Sequence, residues 1–388
     1  MPTLKPFALS LLALTLLVGC GGRTTTSSAA PSKAAAPSGS AAAPTAPAAA
    51  AATPVASQSS AAPGPLIAVV EEGSPTSLRL ITLQGREVAH TSLPSPGAVA
   101  GVGGDIATFV VGDELRALRR SGVVETLGRL PGYSAGPIVV SPDGRYWLWS
   151  VYSSSGAGVS SKLMLSRRGG PDRAVAQQTT TAEPRVLQPY RWGPAGPIYQ
   201  SSAMGLGGYI LFGEYTTGPT WRLDPDTGQT TQLLDGVSCP LADLDANGTI
   251  ACFSRDDGGS LAVLSPDGHT VQMPLPRPAF TQRGAVSFKP GSGATGLVIG
   301  GATGAGADGG QEQFETDLVE VRDRTLRRFG PAGLRPGDGS WTWLPDGSLI
   351  SYRPARARGG DPGVYVVAPD GTARKVFPSG VPVGVLTS

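Results

Sequence analysis

Val139-Val140-Ser141-Pro142-Asp143-Gly144-Arg145-Tyr146-Trp147-Leu148-Trp149-Ser150 joins two apolar runs through a tight turn. Pro137 to Val140 reads as a strand, and Arg145 to Val151 reads as a second strand returning beside it. Between them Pro142 and Asp143 start the turn, and Gly144 supplies the positive φ that completes it. After a loop come Lys162 to Ser166, the Gly169-Gly170 turn, and Arg173 to Gln177. Four short strands in succession, a to d, make one antiparallel sheet with short connections.

The same unit recurs along the chain. The a–b turn reappears as Trp192-Gly-Pro-Ala-Gly196, Leu244-Asp-Ala-Asn-Gly248 and Trp343-Leu-Pro-Asp-Gly347. It is looser around Phe288-Lys-Pro-Gly291 and degenerate at Gly103-Gly104. The c–d turn recurs at Gln84-Gly85, Ser121-Gly122, Gly169-Gly170, Asp224 to Gly228, Pro266 to Gly268, Asp323-Arg324 and Pro369 to Gly371. Intervals of about 37–58 residues match a propeller blade of roughly 40–50 residues. Seven c–d turns stand against six a–b turns, leaving six or seven blades to decide between. The first unit opens directly on Leu66-Ile-Ala-Val-Val70, which fits strand b, and Val381-Pro-Val-Gly-Val-Leu386 follows the last d strand as an unpaired a strand. The C-terminal strand is therefore expected to complete the first blade, close a ring of seven and remove the open sheet edges. The fold class is all-β: a single β-propeller of four-stranded antiparallel blades over residues 65–388.

Residues 141–150 resemble the repeat of TolB-like or WD40-like bacterial propellers, and the resemblance extends loosely over residues 66–388. It implies a fold and little about function, since this fold hosts many unrelated activities.

Ahead of that domain lies a targeting segment, residues 1–19. Lys5 is the only early charge, and Phe7 to Leu17 form an apolar run. It is too short to span a ~30 Å hydrocarbon core but suits a signal peptide. Leu17-Val18-Gly19-Cys20 resembles the lipobox of bacterial lipoproteins, which implies that Cys20 is fatty-acylated and becomes the mature N-terminus. Two acyl chains are the condition for stable anchoring, at about 0.8 kcal/mol per buried CH₂. Gly21 occupies the place where, in many diderm bacteria, Asp would retain a lipoprotein at the inner membrane, so the cell membrane and an outer membrane both remain open. Residues 20–64 are Ala, Pro, Ser, Thr and Gly almost throughout, with Arg23 and Lys33 the only charges. Such a stretch cannot bury enough apolar surface to offset its chain entropy and is expected to be a disordered tether of about 35–40 Å reach.

Formal net charge is +2, and no basic stripe with interleaved aromatics occurs, which argues against a nucleic-acid partner. No cofactor is expected. The chain has two histidines, His90 on an outer d strand and His269 just after a turn, both read as solvated. Gly132-Tyr-Ser134-Ala-Gly136 satisfies the serine-hydrolase string but precedes a strand where the elbow needs a helix. Gly304-Ala-Gly306-Ala-Asp-Gly309 matches a dinucleotide fingerprint without a strand-to-helix junction. Asp243-Leu-Asp245-Ala-Asn247-Gly248 imitates half a calcium loop, yet Ser254 stands where a bidentate Glu is needed, and a plain turn is the preferred reading over a metal site. Trp147, Trp149, Trp192, Trp221, Trp341 and Trp343 sit on strands in repeat register and are expected to pack between blades. Cys239 and Cys252 are a candidate disulfide: hairpin counting opposes Cys252 to about Leu241, leaving Cys239 diagonal to it, so bonded and free thiols both remain open.

The tight turns all fall on the a–b/c–d face, whereas the long irregular segments fall on the b–c/d–a face. Those segments are Ser153 to Ser160, Ser202 to Thr220, Gly301 to Phe314 and Arg353 to Pro362. Insertions clustered on one face mark it as the expected binding face. Its candidate residues are Tyr209, Phe212, Tyr215, Asp308, Glu312, Arg353, Arg356 and Arg358. The expected function is a non-enzymatic, extracytoplasmic protein, held to a membrane through its lipid, that binds a protein or cell-envelope polymer as a scaffold. A lactonase- or lyase-like propeller enzyme and a structural spacer in an envelope complex are the rivals.

Overall fold

The computed structural model describes residues 64–387, apart from 134–135, 156–157, 194, 204–217, 237–238, 240, 246, 254–259, 274–281, 292–296, 303–315, 323–324, 338–340 and 356–359. Gln58–Ser388 forms one unit of contacts.

Alternating apolar and polar residues, broken by turn residues every few positions, leave this chain one way to bury its surface: as short antiparallel strands. Seven sheets form among the described residues. Blade 1 takes strand a from the C-terminus, Val381–Leu386, and continues with Leu66–Glu71, Thr76–Thr82 and Glu87–Leu93. Blade 2 is Val99–Gly103, Ile106–Val111, Glu114–Arg119 and Val124–Arg129. Blade 3 is Val139–Val140, Tyr146–Ser155, Gly158–Arg167 and Arg173–Thr180; blade 4 is Arg185–Gly193, Gly196–Ala203, Thr220–Leu223 and Thr230–Leu234. Blade 5 comprises Leu241–Leu244, Ile250–Phe253, Leu261–Leu264 and Thr270–Met273, and blade 6 Gln282–Phe288, Leu297–Ala302, Thr316–Arg322 and Thr325–Arg328. In blade 7 strand a is split into Arg335–Pro336 and Thr342–Trp343, both paired to Leu349–Arg353, with Gly363–Val367 and Ala373–Phe377 outside.

Ring closure follows from the side-chain period of two. In strand b of blade 1, Leu66, Ala68 and Val70 point into a core shared with Ala107, Phe109 and Leu118 of blade 2. Ile67 and Val69, the alternate residues, point into a core shared with Ile350, Val364 and Val376 of blade 7. A strand buried on both faces reads as a continuous apolar run, as Leu66 to Val70 does. The same division holds at each of the other junctions: one cluster lies between blades 2 and 3, then 3 and 4, 4 and 5, 5 and 6, 6 and 7. Seven junctions for seven sheets is the arithmetic of a closed ring, which settles the count at seven. Strand a of blade 1 pairs antiparallel with strand b, Leu386 opposite Leu66, and Thr387 N–H donates to the Gly104 carbonyl of blade 2 at 2.8 Å.

The turns explain the recurrent Asp. Ser141 Oγ accepts from the Arg145 and Tyr146 amides and donates to Asp143, which itself accepts from Arg145 N–H at 3.0 Å. Asp245, Asp346 and Asp370 accept from the amide two residues on, at 2.8–2.9 Å. Each carboxylate thereby satisfies backbone donors that the reversal would leave unpaired. At Gly104 φ is 55°, and a Cβ there would run into the Pro142 carbonyl of the next blade.

Blade 3 departs from expectation. Ser153 to Ser160, read as an irregular loop, continues both strands into a hairpin in which Ser155 opposes Gly158. Ser and Gly are weak strand formers, so composition hid the extension. Register inherited from the strands below sustains it, with Val159 and Ser161 buried. Among the described residues the blade 3 hairpin therefore extends its sheet on the b–c/d–a face.

Candidate functional site

Glycines on the inner a strands of blades 1 and 2 let neighbouring blades approach closely. A Cβ on Gly101 would lie 3.3 Å from the Ile138 carbonyl, and one on Gly384 would lie 2.5 Å from Val102 Cβ. Between the a strands of blades 1 to 4 lies a cavity of about 780 Å³. Pro94 to Ala98, Gly112, Gly136 and Pro137 bound it at the b–c/d–a face, while Pro142 and Trp192 bound it toward the turn face. Its wall is Val99, Val102, Ile138, Val139, Val140 and Val383, with Tyr133, Tyr190 and Trp192 adding aromatic surface.

Arg191 is the one charged side chain among the described residues of that wall. A bulge at Tyr190 breaks the pairing of strand a with strand b, and both Tyr190 and Arg191 reach blade 5. Arg191 Nη1 donates to Asp243 Oδ1 at 2.6 Å, and the Tyr190 hydroxyl donates to the Ala242 carbonyl at 3.4 Å. Asp243 is buried and also accepts from the Leu244 and Phe288 amides, at 2.8 and 2.6 Å, so it links blades 4, 5 and 6. Desolvation raises its carboxyl above the usual range despite the opposing Arg191 charge and the amide donors. Desolvation, with the Asp243 charge second, pushes the Tyr190 hydroxyl up to about 12. Tyr133 is raised too, mainly by burial, and its hydroxyl donates to the Gly136 carbonyl at 2.7 Å.

The residues singled out from sequence fare differently. Tyr209, Phe212, Tyr215, Asp308, Glu312, Arg356 and Arg358, and also Cys20 and Ser134, lie outside the described residues. Of the candidate binding-face residues, Arg353 alone is described, and it is buried. It ends strand b of blade 7 with 7 % exposure, donates to the Ala332 carbonyl at 2.6 Å and lies over the Tyr365 ring at 5.4 Å. Its stem occupies a b-strand position whose neighbours are core residues, and the head follows it inward. The residues of the half calcium loop, Asp243, Asp245 and Asn247, are divided: Asp243 serves Arg191 and Phe288, whereas Asp245 serves its own turn through the Asn247 and Thr249 amides. Among the described residues no group of three His, Cys, Asp or Glu is placed to hold a metal. His90 rests against Glu87 at 2.7 Å, and His269 is exposed.

Cys239 and Cys252 form a disulfide, with Cα atoms 5.2 Å apart. Cys252 opposes Leu241 as counted, but the register shifts between Leu241 and Asp243, and that irregularity shortens the diagonal. Trp147 and Trp149 pack between blades 2 and 3, and Trp341 stacks on Trp343 between blades 6 and 7. Trp221 stacks on Tyr199 at 5.2 Å; Trp192 stacks on Tyr146 and also faces the cavity. Sequence reading missed the Tyr190-Arg191-Trp192 group. Its available signal was a cation between two aromatics on an inner strand.

The fold defines the class of this protein: a β-propeller. No family model matches the chain, and no curated protein matches it. Among solved structures it is similar to TolB from Acinetobacter baumannii (16% identity, TM-score 0.39, covering 68% of this chain and 62% of that one). It is also similar to prolyl oligopeptidase B from Galerina marginata (9% identity, TM-score 0.48, covering 82% and 51%). A third is the acylaminoacyl peptidase of Pyrococcus horikoshii (11% identity, TM-score 0.48, covering 80% and 52%). The chain thus spans about half to six-tenths of the length of these chains. The expectation of a non-enzymatic protein is corrected here. Two of these similar chains are peptidases by name, and a propeller hosts many unrelated activities, so the fold does not set catalysis aside.

Proposed function

We propose that the chain is an extracytoplasmic, lipid-anchored TolB-like propeller that binds a protein or cell-envelope polymer on its b–c/d–a face. The observation that carries this reading is where the chain meets the ring. Gly64, at the start of blade 1, gives its carbonyl to Arg120 on a c–d turn, and Thr387, at the other end, bonds to Gly104 on an a–b turn. Both attachments are on the turn face. A tether anchored at Cys20 would join the domain at that turn face, leaving the hairpin of blade 3 on the opposite face clear of the attachment. The Cys239–Cys252 disulfide supports an oxidising compartment.

A photo-cross-linking residue at Ser154, exposed on the blade 3 hairpin, and another at Asp267, exposed on a turn of blade 5, test the reading in intact cells. Discrete adducts from Ser154 and none from Asp267 are expected. Adducts from Asp267 alone overturn the choice of face, and adducts from neither position favour a spacer.

A further inference from the structure

We infer that the channel cavity is a binding site for a small apolar carboxylic acid, whose carboxylate meets Arg191 and whose body lies along the valine wall. This site goes beyond the partner surface proposed above and does not depend on it. About 780 Å³ is within the ~300–1,000 Å³ range of small-molecule sites. The wall is aliphatic and aromatic, and the Tyr133 and Tyr190 hydroxyls are already committed to backbone carbonyls. That leaves Arg191 to set the charge of the occupant.

Arg191 has donors to spare. A guanidinium carries five N–H groups in a planar fork. One nitrogen is engaged by Asp243, and the side chain keeps 34% of its surface exposed. Asp243 does not depend on Arg191 alone, because two backbone amides also hold it. The fork is therefore fixed by a buried carboxylate, lies over the Tyr190 ring and keeps part of its surface exposed on a residue that lines the cavity, which prepositions it for a second carboxylate. An ammonium ligand would meet the guanidinium as a like charge. A neutral one would forgo the charge-assisted hydrogen bond while burying the same apolar body. Trp192, on the same wall, gives the site an optical reporter.

The test uses the full chain titrated with decanoate, decanol and decyltrimethylammonium, each below its micelle concentration, by tryptophan fluorescence and calorimetry. Decanoate is expected to bind saturably at one site, about tenfold or more tighter than decanol, which corresponds to ~1.4 kcal/mol, with no binding of the cation. The paired variant Arg191→Met/Asp243→Asn removes both charges together, so neither is left buried alone. It should erase the preference for decanoate over decanol while keeping apolar binding. Val140→Phe, which narrows the cavity and leaves Arg191 in place, should weaken both ligands. Equal affinity for decanoate and decanol in the parent chain overturns the inference. So does a preference that survives in the folded paired variant, or the absence of saturable binding.

Discussion

Leu386→Ala puts ring closure to a quantitative test. Leu386 is fully buried, opposes Leu66 across the blade 1 sheet and packs in the core shared by blades 1 and 2. Truncating a fully buried leucine costs about 2–5 kcal/mol, depending on how far the site collapses. Leu386 lies one residue from the last described position, so its backbone can relax more than a mid-chain strand, which favours the lower half, about 2–3 kcal/mol. For a domain of this size each kcal/mol lowers Tm by roughly 2–4 °C, giving a fall of about 4–12 °C. Leu118→Ala is the control. It removes the same side chain from the same core but on strand c of blade 2, inside the chain. Calorimetric melting of the three proteins should show both variants lowered, Leu118→Ala at least as much as Leu386→Ala. If Leu118→Ala is lowered while Leu386→Ala melts within about 1 °C of the parent, the C-terminal strand is not holding the ring and the closure argument fails.

Cys20→Ser should move the protein out of the detergent-dependent membrane fraction; unchanged fractionation would sink the lipid anchor. Alkylation of the denatured, unreduced protein should leave Cys239 and Cys252 unmodified, and Cys252→Ser should cost about 2–3 kcal/mol, since the bond closes a short loop. Stability should fall on both sides of neutrality. Backbone and hydroxyl hydrogen bonds from Thr372 hold the Asp370 carboxyl below its ordinary value, and amides of Thr227 and Asp226 do the same for Asp224. Their contribution is present above the unfolded carboxylate pKa and is lost as pH falls through the lowered one. Tyr190 is raised from 10.0 to about 12, so its contribution is present below pH 10 and lost as pH rises toward 12. Melting curves across pH 9–12 should show Tyr190→Phe losing less stability than the parent; parallel curves would refute the assignment.

The turns were legible in the chain because they are local, and counting them pointed to a seventh blade closed by the C-terminal strand, although Leu386 pairs with Leu66 from the far end of the domain. Pro-Asp-Gly turns fix their own hydrogen bonds, as Ser141 and Asp143 do, and a run such as Leu66 to Val70 announces burial on both faces. Where contacts beyond the turns decide the outcome, the chain alone was silent or misleading. Ser153 to Ser160 is a hairpin because the strands below it carry their register upward, against its own propensity. Arg353 is buried because Tyr365 and the Ala332 carbonyl lie where its head falls. Cys239 reaches Cys252 because a bulge near Ala242 shortens a diagonal that regular counting leaves too long. Asp243 belongs to Arg191 and Phe288, separated from it by 52 and 45 positions, and no spacing rule within a turn could have taken it away from Asp245. A sequence determines which backbone groups and faces must be satisfied. Packing seven sheets around one axis decides which distant residues satisfy them, and the cavity at Arg191 exists only as a product of that packing.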